Sequence, residues 1–341
     1  MRVIEYTPEL FGTLHGIANH LGARCSLAHR PFVDYYYASG DWCKLFLLLA
    51  DEGGAIATIG LEKMPFQNDS HTITVGCGSN FHSLRAGLGS YLFLYWRRFS
   101  SVGLVFGGSE DTHAILHRQH WGFYTGVRNY VLNKRYLPRP GEATWRVAAK
   151  WLLRHSGGYQ RIADRAARIA AEMPGGLSVR EERDYTPDLL PRRSPFRFRF
   201  APPLDYLRWR YNTSLSFVRY RLFRILEKDR TVGYVVLNDS PARILVAHCD
   251  GDDVDTLAYG VLLSIVQASH EDSAARPVFL VSSHPRMQWI YERFGFKRNG
   301  PDQPFALGCF GRNGQVDSDT SNWHVSLDWG DNGLLGPFLD Q

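Results

Sequence analysis

Apolar and polar residues follow one another along the first 136 residues in a pattern that predicts short strands and helices. Thr7 has the side chain of a helix N-cap and precedes a helical pattern. Asp51-Glu52-Gly53-Gly54 separates two apolar runs and is typical of a hairpin turn. The pattern predicts strands at 3–6, 45–50, 55–61, 72–75, 104–106 and 126–132, and helices at 8–20, 90–99 and 112–120.

The second half of the chain repeats this order. Val105-Phe106 and Gly122-Phe123 recur as Val278-Phe279 and Gly295-Phe296, each 173 residues later, and Tyr35-Tyr36-Tyr37 falls on Trp209-Arg210-Tyr211 near an offset of 174. Strands are predicted at 219–226, 231–237, 243–248 and 278–281, and helices at 254–268 and 285–294. We therefore expect a duplicated domain. The fold class expected is α/β, with a mixed sheet of the α+β kind in each half.

A connector separates the two copies. Pro138 and Pro140 interrupt the pattern, and two stretches of helical character follow at 142–155 and 159–172. We expect an N-terminal domain at 1–136, a helical connector at 137–177, and a C-terminal domain with a tail at 178–341.

Length and composition agree with a two-domain globular protein. The 341 residues are 44% hydrophobic, and no apolar run reaches the roughly 18 residues that a membrane helix needs. An acid stands at Glu5, and no apolar stretch like that of a secretory signal follows. Five scattered cysteines without a CxxC motif indicate reduced thiols. A cytoplasmic protein without a membrane span or metal site is expected.

The net charge of +5 is unevenly distributed. Residues 137–230 carry 20 Lys+Arg against 10 Asp+Glu, a balance of +10, whereas 231–341 carry 7 against 14, a balance of −7. The basic stripes are either solvated or paired with the acidic C-terminal part. An acidic partner such as an acyl carrier protein, or an anionic surface, is a further interpretation. Arg197 and Arg199 alternate with phenylalanines instead of sharing their face, so nucleic acid is not the expected partner.

A glycine-rich turn is the clearest candidate binding motif. It follows a predicted strand and leads directly into an apolar helix, where successive N–H groups form an anion site. A turn that only starts the helix is the alternative. The candidate residues are Arg85, Ala86, Gly87, Leu88, Gly89 and Ser90.

This order of elements resembles the GCN5-related N-acetyltransferase (GNAT) superfamily, in which a Q/R-x-x-G-x-G/A loop holds the pyrophosphate of acyl-coenzyme A. Ala114 and Gly122-Phe123 match the family's following strand and helix, where Asp111 takes an Asn position. Leu207-Arg208-Trp209-Arg210-Tyr211 also resembles a segment of tandem members of the family. The resemblance covers roughly 1–136 and 178–310. It implies acetyl-CoA or a longer acyl-CoA as co-substrate.

The two copies depart from the family pattern differently. In the first, Leu84 replaces the first Gln/Arg of the loop, and Arg118 replaces the Tyr that protonates the departing thiolate. In the second, the corresponding loop would be 255–262, where Leu262 replaces a glycine and several acids precede it, although Tyr291 is kept. Carboxylates repel a pyrophosphate. We expect the first copy to bind acyl-CoA and the second to be a degenerate partner.

Acyl transfer to an amine needs a group that takes a proton from the amine and one that stabilises the thiolate. Glu110 and Asp111 are candidate bases, although acids are also favoured at the start of a helix by its dipole. His117 shares a helix face with His113 and is a further candidate, with a surface histidine pair as the alternative. Tyr291 is a candidate acid if the second copy binds cofactor, and otherwise a packed aromatic.

The sequence therefore predicts an acyltransferase that moves an acyl group from a CoA thioester to an amine or hydroxyl of a small molecule or sugar. Tyr35-Tyr36-Tyr37 lies where the family places part of the acceptor pocket, with half-buried strand packing as the alternative. A catalytically silent relative that binds acyl-CoA or a protein is a second interpretation, favoured by Arg118. An acyltransferase whose donor is an acyl carrier protein is a third.

Overall fold

The protein is described by a computed structural model that covers residues 1–22, 25–68, 71–85, 87–133, 143–155, 158–270, 276–310 and 322–329. Within these ranges no helix is long and apolar enough to cross a membrane.

The first copy contains the predicted order of strands and helices. The hairpin turn at 51–54 joins two strands, as predicted. The strands are β1 (Arg2–Glu5), β2 (Cys43–Leu49), β3 (Ala55–Asn68), β4 (His71–Ser83), β5 (Val102–Phe106) and β6 (Gly122–Leu132). The helices are α1 (His15–Leu21), α2 (Arg30–Ala38), α3 (Gly89–Phe99) and α4 (Glu110–Arg118).

Two details of the first copy were predicted wrongly. The segment after Thr7 is a 3-10 helix at Pro8–Leu14 and becomes α-helical only at His15, and Thr7 makes no capping hydrogen bond through its side chain. Tyr35-Tyr36-Tyr37 lies on α2 instead of on a strand. Both segments pack their apolar side chains in one core with β2, so tertiary burial decides their conformation.

The connector helices and the predicted elements of the second copy follow in the predicted order. The connector helices are α5 (Thr144–His155) and α6 (Gly158–Ile169). The remaining helices are α7 (Leu204–Arg210), α8 (Val254–His270) and α9 (Pro285–Phe294). The strands are β7 (Leu177–Glu182), β8 (Phe198–Phe200), β9 (Tyr220–Glu227), β10 (Arg230–Asp239), β11 (Ile244–Gly251), β12 (Val278–Ser282), β13 (Lys297–Arg298), β14 (Gln303–Cys309) and β15 (Trp323–His324). Helix α7 and five of these strands were not predicted.

Both copies belong to one continuous mixed sheet, which confirms the α/β fold class. Its main order is β1-β2-β3-β4-β5-β14-β6-β12-β11-β10-β9-β7. Strand β14 lies beyond the second copy's last helix, yet it pairs with β5 and β6 of the first copy. Strand β6 in turn pairs with β12 of the second copy. Hydrogen bonds between strands thus connect the two expected domains. The domain boundaries themselves remain a prediction.

Segments that the repeat places in equivalent positions contact each other. Tyr35 Oη donates to Trp209 O at 2.8 Å, and Tyr36 Oη donates to Arg210 O at 3.1 Å, both across 174 residues. Helices α2 and α7 therefore meet between the copies. These tyrosines, for which an acceptor pocket and packing were alternative interpretations, join the two copies, and Tyr36 and Tyr37 are buried.

Helix α3 is held close to β4 by one tryptophan. Trp96 Nε1 donates to Gly76 O at 2.7 Å. A Cβ added at Gly78 would lie 2.2 Å from the Trp96 ring, so the indole needs a glycine there. This close approach holds the C-terminal half of α3 against the middle of β4.

Candidate functional site

Strands β4 and β5 stop pairing before they end. Their parallel pairing runs from Val75 with Val102 to Cys77 with Leu104, while the strands continue to Ser83 and Phe106. Such divergence opens a cleft between two neighbouring strands of one sheet. The glycine-rich turn follows the end of β4, and α4 follows the end of β5.

A bulge shapes the β4 side of this cleft. Asn80 and Phe81 stand opposite the single residue Ile59 of β3, because the register shifts between Thr58–His82 and Gly60–Ser79. A bulge leaves its extra residue unpaired in the ladder and re-aims the strand. It therefore leaves main-chain groups of β4 without their usual partners beside the cleft.

The bulged residue Asn80 is fixed by three hydrogen bonds. Its φ of 45° is left-handed, a conformation that Asn tolerates better than most residues. Its Nδ2 donates to Tyr37 Oη at 2.7 Å, its Oδ1 accepts from Ser26 Oγ at 2.8 Å, and its carbonyl accepts from Thr58 Oγ1 at 2.8 Å. Sequence reasoning missed Asn80. Its only signal was a turn-forming residue between the strand predicted at 72–75 and the glycine-rich turn.

The glycine-rich turn has the backbone of an anion site. Gly87 has a φ of 82°, and a Cβ at Gly89 would lie 2.8 Å from the Phe81 ring, so glycine is favoured at both positions. The turn's own hydrogen bonds use the amides of Leu88 and Ser90 at 3.4 and 3.3 Å, and none within the described chain uses those of Gly87 and Gly89.

The side chains of this turn are mostly at the surface. Arg85 and Ser90 are exposed, and Ser90 Oγ donates to Gly87 O at 2.5 Å. Ala86 lies outside the described residues. Helix α3 begins at Gly89 without a side-chain cap, so its first N–H groups face the end of the turn. An anionic ligand at this position would meet backbone donors, a helix N-terminus and a guanidinium.

The candidate bases lie on α4. Glu110 and Asp111 form its first turn and are exposed, while the N-cap is Ser109, whose Oγ accepts from Thr112 N at 3.2 Å. His117 lies nearly two turns further on and stacks on the Phe123 ring with centroids 3.9 Å apart. The acids are therefore accessible from solvent, and the histidine is held by an aromatic ring.

The neighbouring His113 fixes the loop after β5. Its Nε2 lies 2.8 Å from Gly107 O. Gly107 and Gly108 both have positive φ values, of 83° and 103°. The ring thus stabilises the turn that leads from β5 into the acids of α4.

Tyr291 is not grouped with these residues. It lies on α9 in the core of the second copy, 2% exposed, near the rings of Tyr130 and Phe296. Burial raises the pKa of its phenol well above the ordinary value. Arg118, in contrast, is exposed at the end of α4.

The second copy lacks a loop at the expected place. Helix α8 begins at Val254, so 255–262 is helical, and Gly260 packs against Ile225, 2.4 Å from a Cβ built on it. The acids around this helix start are used internally: Asp253 Oδ1 accepts from the amides of Asp255 and Thr256, both at 3.0 Å. The helix predicted at 254–268 therefore occupies the place where the family resemblance put a degenerate loop.

The basic residues pair with acids of the same molecule. For Arg199, Arg221 and Arg230, which belong to the basic part at 137–230, this is one of the two arrangements expected from the charge distribution. The pairs are Arg199 with Asp250, Arg230 with Asp252, Arg286 with Asp255, and both Arg221 and Arg276 with Asp239.

A segment close to the C-terminus fills the divergence of β11 and β12. These strands pair only at Ile244 with Val278 and Leu245 with Phe279. Residues 322–329, which we call the tail segment, bridge the opening. His324 Nε2 lies 2.7 Å from Cys249 O on β11, and Ser283 Oγ, just after β12, donates to Trp323 O at 2.6 Å. The second copy's equivalent of the cleft is therefore occupied by the chain itself.

Buried charges join the tail segment to both copies. Arg210 of α7 is fully buried and pairs with Glu62 of β3, and its Nη2 donates to Asp328 O at 2.9 Å. Asp328 Oδ2 lies 2.7 Å from His248 Nδ1 on β11. Burial alone would raise the pKa of the Asp328 carboxyl. The neighbouring His248 and Arg210 lower it by more, so the pKa lies below the ordinary value.

This depressed pKa makes a prediction for acid stability. A carboxyl whose folded pKa is lowered stabilises the fold above its ordinary pKa of about 4, and that contribution is lost as the pH falls through the folded value. We expect Asp328→Asn to lower the free energy of unfolding by about 3 kcal/mol at neutral pH. Its unfolding should also depend less on pH in the acid range. Urea unfolding at several pH values measures both, with exposed Asp184→Asn as a control that should change little. Equal effects of the two substitutions would contradict this role.

A cavity of about 170 Å³ lies beside the end of β5, on the face that the tail segment covers. Five neighbouring strands of the sheet, from β5 to β11, each contribute one wall residue, and Leu327 and Arg243 complete it. These wall residues are Phe106, Gln303, Asn129, Phe279 and Leu245. The cavity is thus built by both copies together, at the edge where the first copy's cleft opens.

Several solved structures have a fold similar to that of this chain. A tandem GNAT protein from the clavulanic acid biosynthesis pathway is 14% identical, with a TM-score of 0.54 over 92% of this chain and 99% of that one. A GCN5-related N-acetyltransferase from Kribbella flavida is 13% identical, with a TM-score of 0.53 over 91% and 72%. Another from Anabaena variabilis ATCC 29413 is 9% identical, with a TM-score of 0.54 over 91% and 73%. No protein-family model and no curated protein matches the sequence. These likenesses confirm the expected fold.

Proposed function

Because the chain has the tandem GNAT fold, we propose that it is an acyltransferase that moves an acyl group from a CoA thioester to an amine or hydroxyl of a small molecule. The first copy binds acetyl-CoA or a longer acyl-CoA in the cleft between β4 and β5. The second copy does not bind a donor and instead forms part of the acceptor cavity.

The contrast between the two equivalent clefts carries this proposal. In the first copy the strands diverge above a glycine-rich turn whose left-handed Gly87 and exposed Arg85 suit an anion. In the second copy α8 replaces the turn, and Trp323 and His324 are bonded across the divergence. Among the residues that the structure describes, donors of this kind for a pyrophosphate therefore lie in the first copy.

The residues of the first copy divide the work of the reaction. Turn amides and Arg85 bind the diphosphate by charge and hydrogen bonds. A main-chain N–H freed by the bulge at Asn80 donates to the thioester oxygen as negative charge develops there. Glu110 or Asp111, accessible at the mouth of the cleft, accepts the proton of the acceptor amine, directly or through water, with His117 as the second candidate.

The leaving thiolate has no tyrosine on α4 to protonate it. Arg118 stands at that position and is exposed, so it can stabilise a negative charge but cannot supply a proton. In this proposal Tyr291 takes no part, because it lies in the core of the copy that binds no donor. The thiolate is then protonated by water or by the ammonium group that forms on the attacking acceptor.

Arg118 also supports a second candidate function. A chain with the same cleft but without an acid for the thiolate would bind acyl-CoA and not turn it over. An acyl carrier protein as donor is a third candidate, because the carrier's thioester arm has the same chemistry and lacks only the nucleotide.

A thermal-shift screen with acetyl-CoA, longer acyl-CoAs, free CoA and pantetheine tests the proposal. A ligand at 100 times its Kd stabilises the native state by about 2.7 kcal/mol, so binding should raise the Tm measurably. We expect acetyl-CoA and CoA to stabilise the protein and pantetheine to do so far less, because it lacks the diphosphate. Thiol release with a panel of amines then separates the enzyme from the silent binder. No stabilisation by any CoA species would contradict the proposal.

A further inference from the structure

Helix α5 exposes an unusual amount of apolar surface. Among the described residues, eleven large apolar side chains are exposed, and five of them lie on this one helix. Trp145 is 68% exposed, Leu152 63% and Trp151 58%, and Val147 and Leu153 complete the set. Contiguous exposed apolar surface of this kind marks an interaction site.

The second connector helix, α6, buries apolar residues instead of exposing them. Helix α6 buries Ile162 and Ile169 in the core that contains α8 and α9. Helix α5 packs mainly against α6 and leaves the side chains of Trp145, Trp151 and Leu152 in solvent. The difference shows that the apolar residues of α5 are not needed for the described core.

The charges of α5 have one sign. In the sequence Arg146, Lys150 and Arg154 recur every fourth residue, a spacing that predicts one basic stripe, and the helix contains no acidic residue. The Arg146 guanidinium lies 5.2 Å from the Trp145 ring. A basic stripe beside tryptophan and leucine is the composition of a helix that lies in the headgroup region of a membrane.

We propose that α5 binds the surface of a membrane that contains anionic lipid. Trp151, Leu152 and Leu153 are consecutive and so spread over about 200° of the helix. A lipid interface accepts apolar side chains over such a broad arc, whereas a protein groove fits a narrow stripe. Indole rings are favoured at this depth, and each basic residue adds attraction to anionic headgroups. A second copy of the chain fits less well, because two identical basic stripes would meet.

Flotation with lipid vesicles tests this proposal. Vesicles of phosphatidylcholine alone are compared with an equimolar mixture of phosphatidylcholine and phosphatidylglycerol. We expect binding to the mixture only, weakened by salt. The double variant Trp151→Ser/Leu152→Ser should lower the partition coefficient at least about tenfold, because two exposed apolar groups are lost from the interface. Because both side chains are exposed, this variant should keep the circular dichroism spectrum and Tm of the parent.

Trp289→Ser is the matched control. This indole is also exposed, at 43%, and it lies between Arg286 and Arg293, but it belongs to α9. The control should bind vesicles like the parent protein. The proposal is overturned if the parent ignores anionic vesicles, or if the two variants lose binding equally. It is also overturned if the double variant only converts a dimer into a monomer, or if an acyl carrier protein binds through α5 while vesicles do not.

Discussion

Replacing Arg210 by methionine is expected to lower the free energy of unfolding by about 3–5 kcal/mol, because the change leaves a buried carboxylate without its partner. Glu62 is 5% exposed, and its other hydrogen bond comes from Tyr206. The same arginine also donates to Asp328 O of the tail segment. The substitution therefore loosens β3, α7 and the tail segment at once.

Two further variants separate the lost pair from lost packing. Arg208→Met, on the same helix, removes an exposed arginine that pairs with Asp184, and it should cost less than about 1 kcal/mol. Arg210→Met combined with Glu62→Leu removes both charges and should recover much of the loss. Urea unfolding measures all three, and a single transition is expected because the copies share a sheet. Equal losses in Arg210→Met and Arg208→Met would refute the role of this pair.

Replacing Gly87 by aspartate is expected to weaken acetyl-CoA binding about thirtyfold or more relative to asparagine at the same position. Both side chains tolerate a left-handed backbone and have the same shape, so they differ mainly in charge. A carboxylate beside a diphosphate at this partly exposed turn costs about 2 kcal/mol. Comparing Asp with Asn therefore isolates the electrostatic part of binding from backbone strain.

Gly53→Asp provides the control in the same backbone conformation. Gly53 has a φ of 91° and open space around it, in the turn between β2 and β3. It should bind acetyl-CoA like the parent protein, which excludes an effect of net charge alone. If the Asp and Asn variants of Gly87 bind equally well, the turn is not the diphosphate site.

Local pattern was sufficient for most elements. The hairpin at 51–54, the order of strands and helices, and the turn before α3 were predicted, because periodicity and glycines act over a few residues. The repeat also predicted which segments are equivalent. The α2 tyrosines were misjudged, since apolar runs of that length suit a strand or a buried helix equally.

The pairing of strands that are distant in the chain could not be predicted from the sequence. Nothing local in 303–309 indicates that β14 lies between β5 and β6 of the other copy, because a strand's partners depend on the whole sheet. The same holds for the tail segment, whose residues close a cleft formed by two distant strands. Asn80 and Arg210 acquire their roles only through residues far along the chain, Tyr37 and Glu62 among them.

In the proposed function the chain has one donor site, in its first copy. Isothermal titration of acetyl-CoA counts such sites directly, and repeating it with Gly87→Asp locates them. We expect one site per chain in the parent protein and none measurable at the same concentrations in the variant. Two sites in the parent, or one undiminished site in the variant, would contradict the assignment of the first copy as the donor site and of the second copy as closed by its own tail segment.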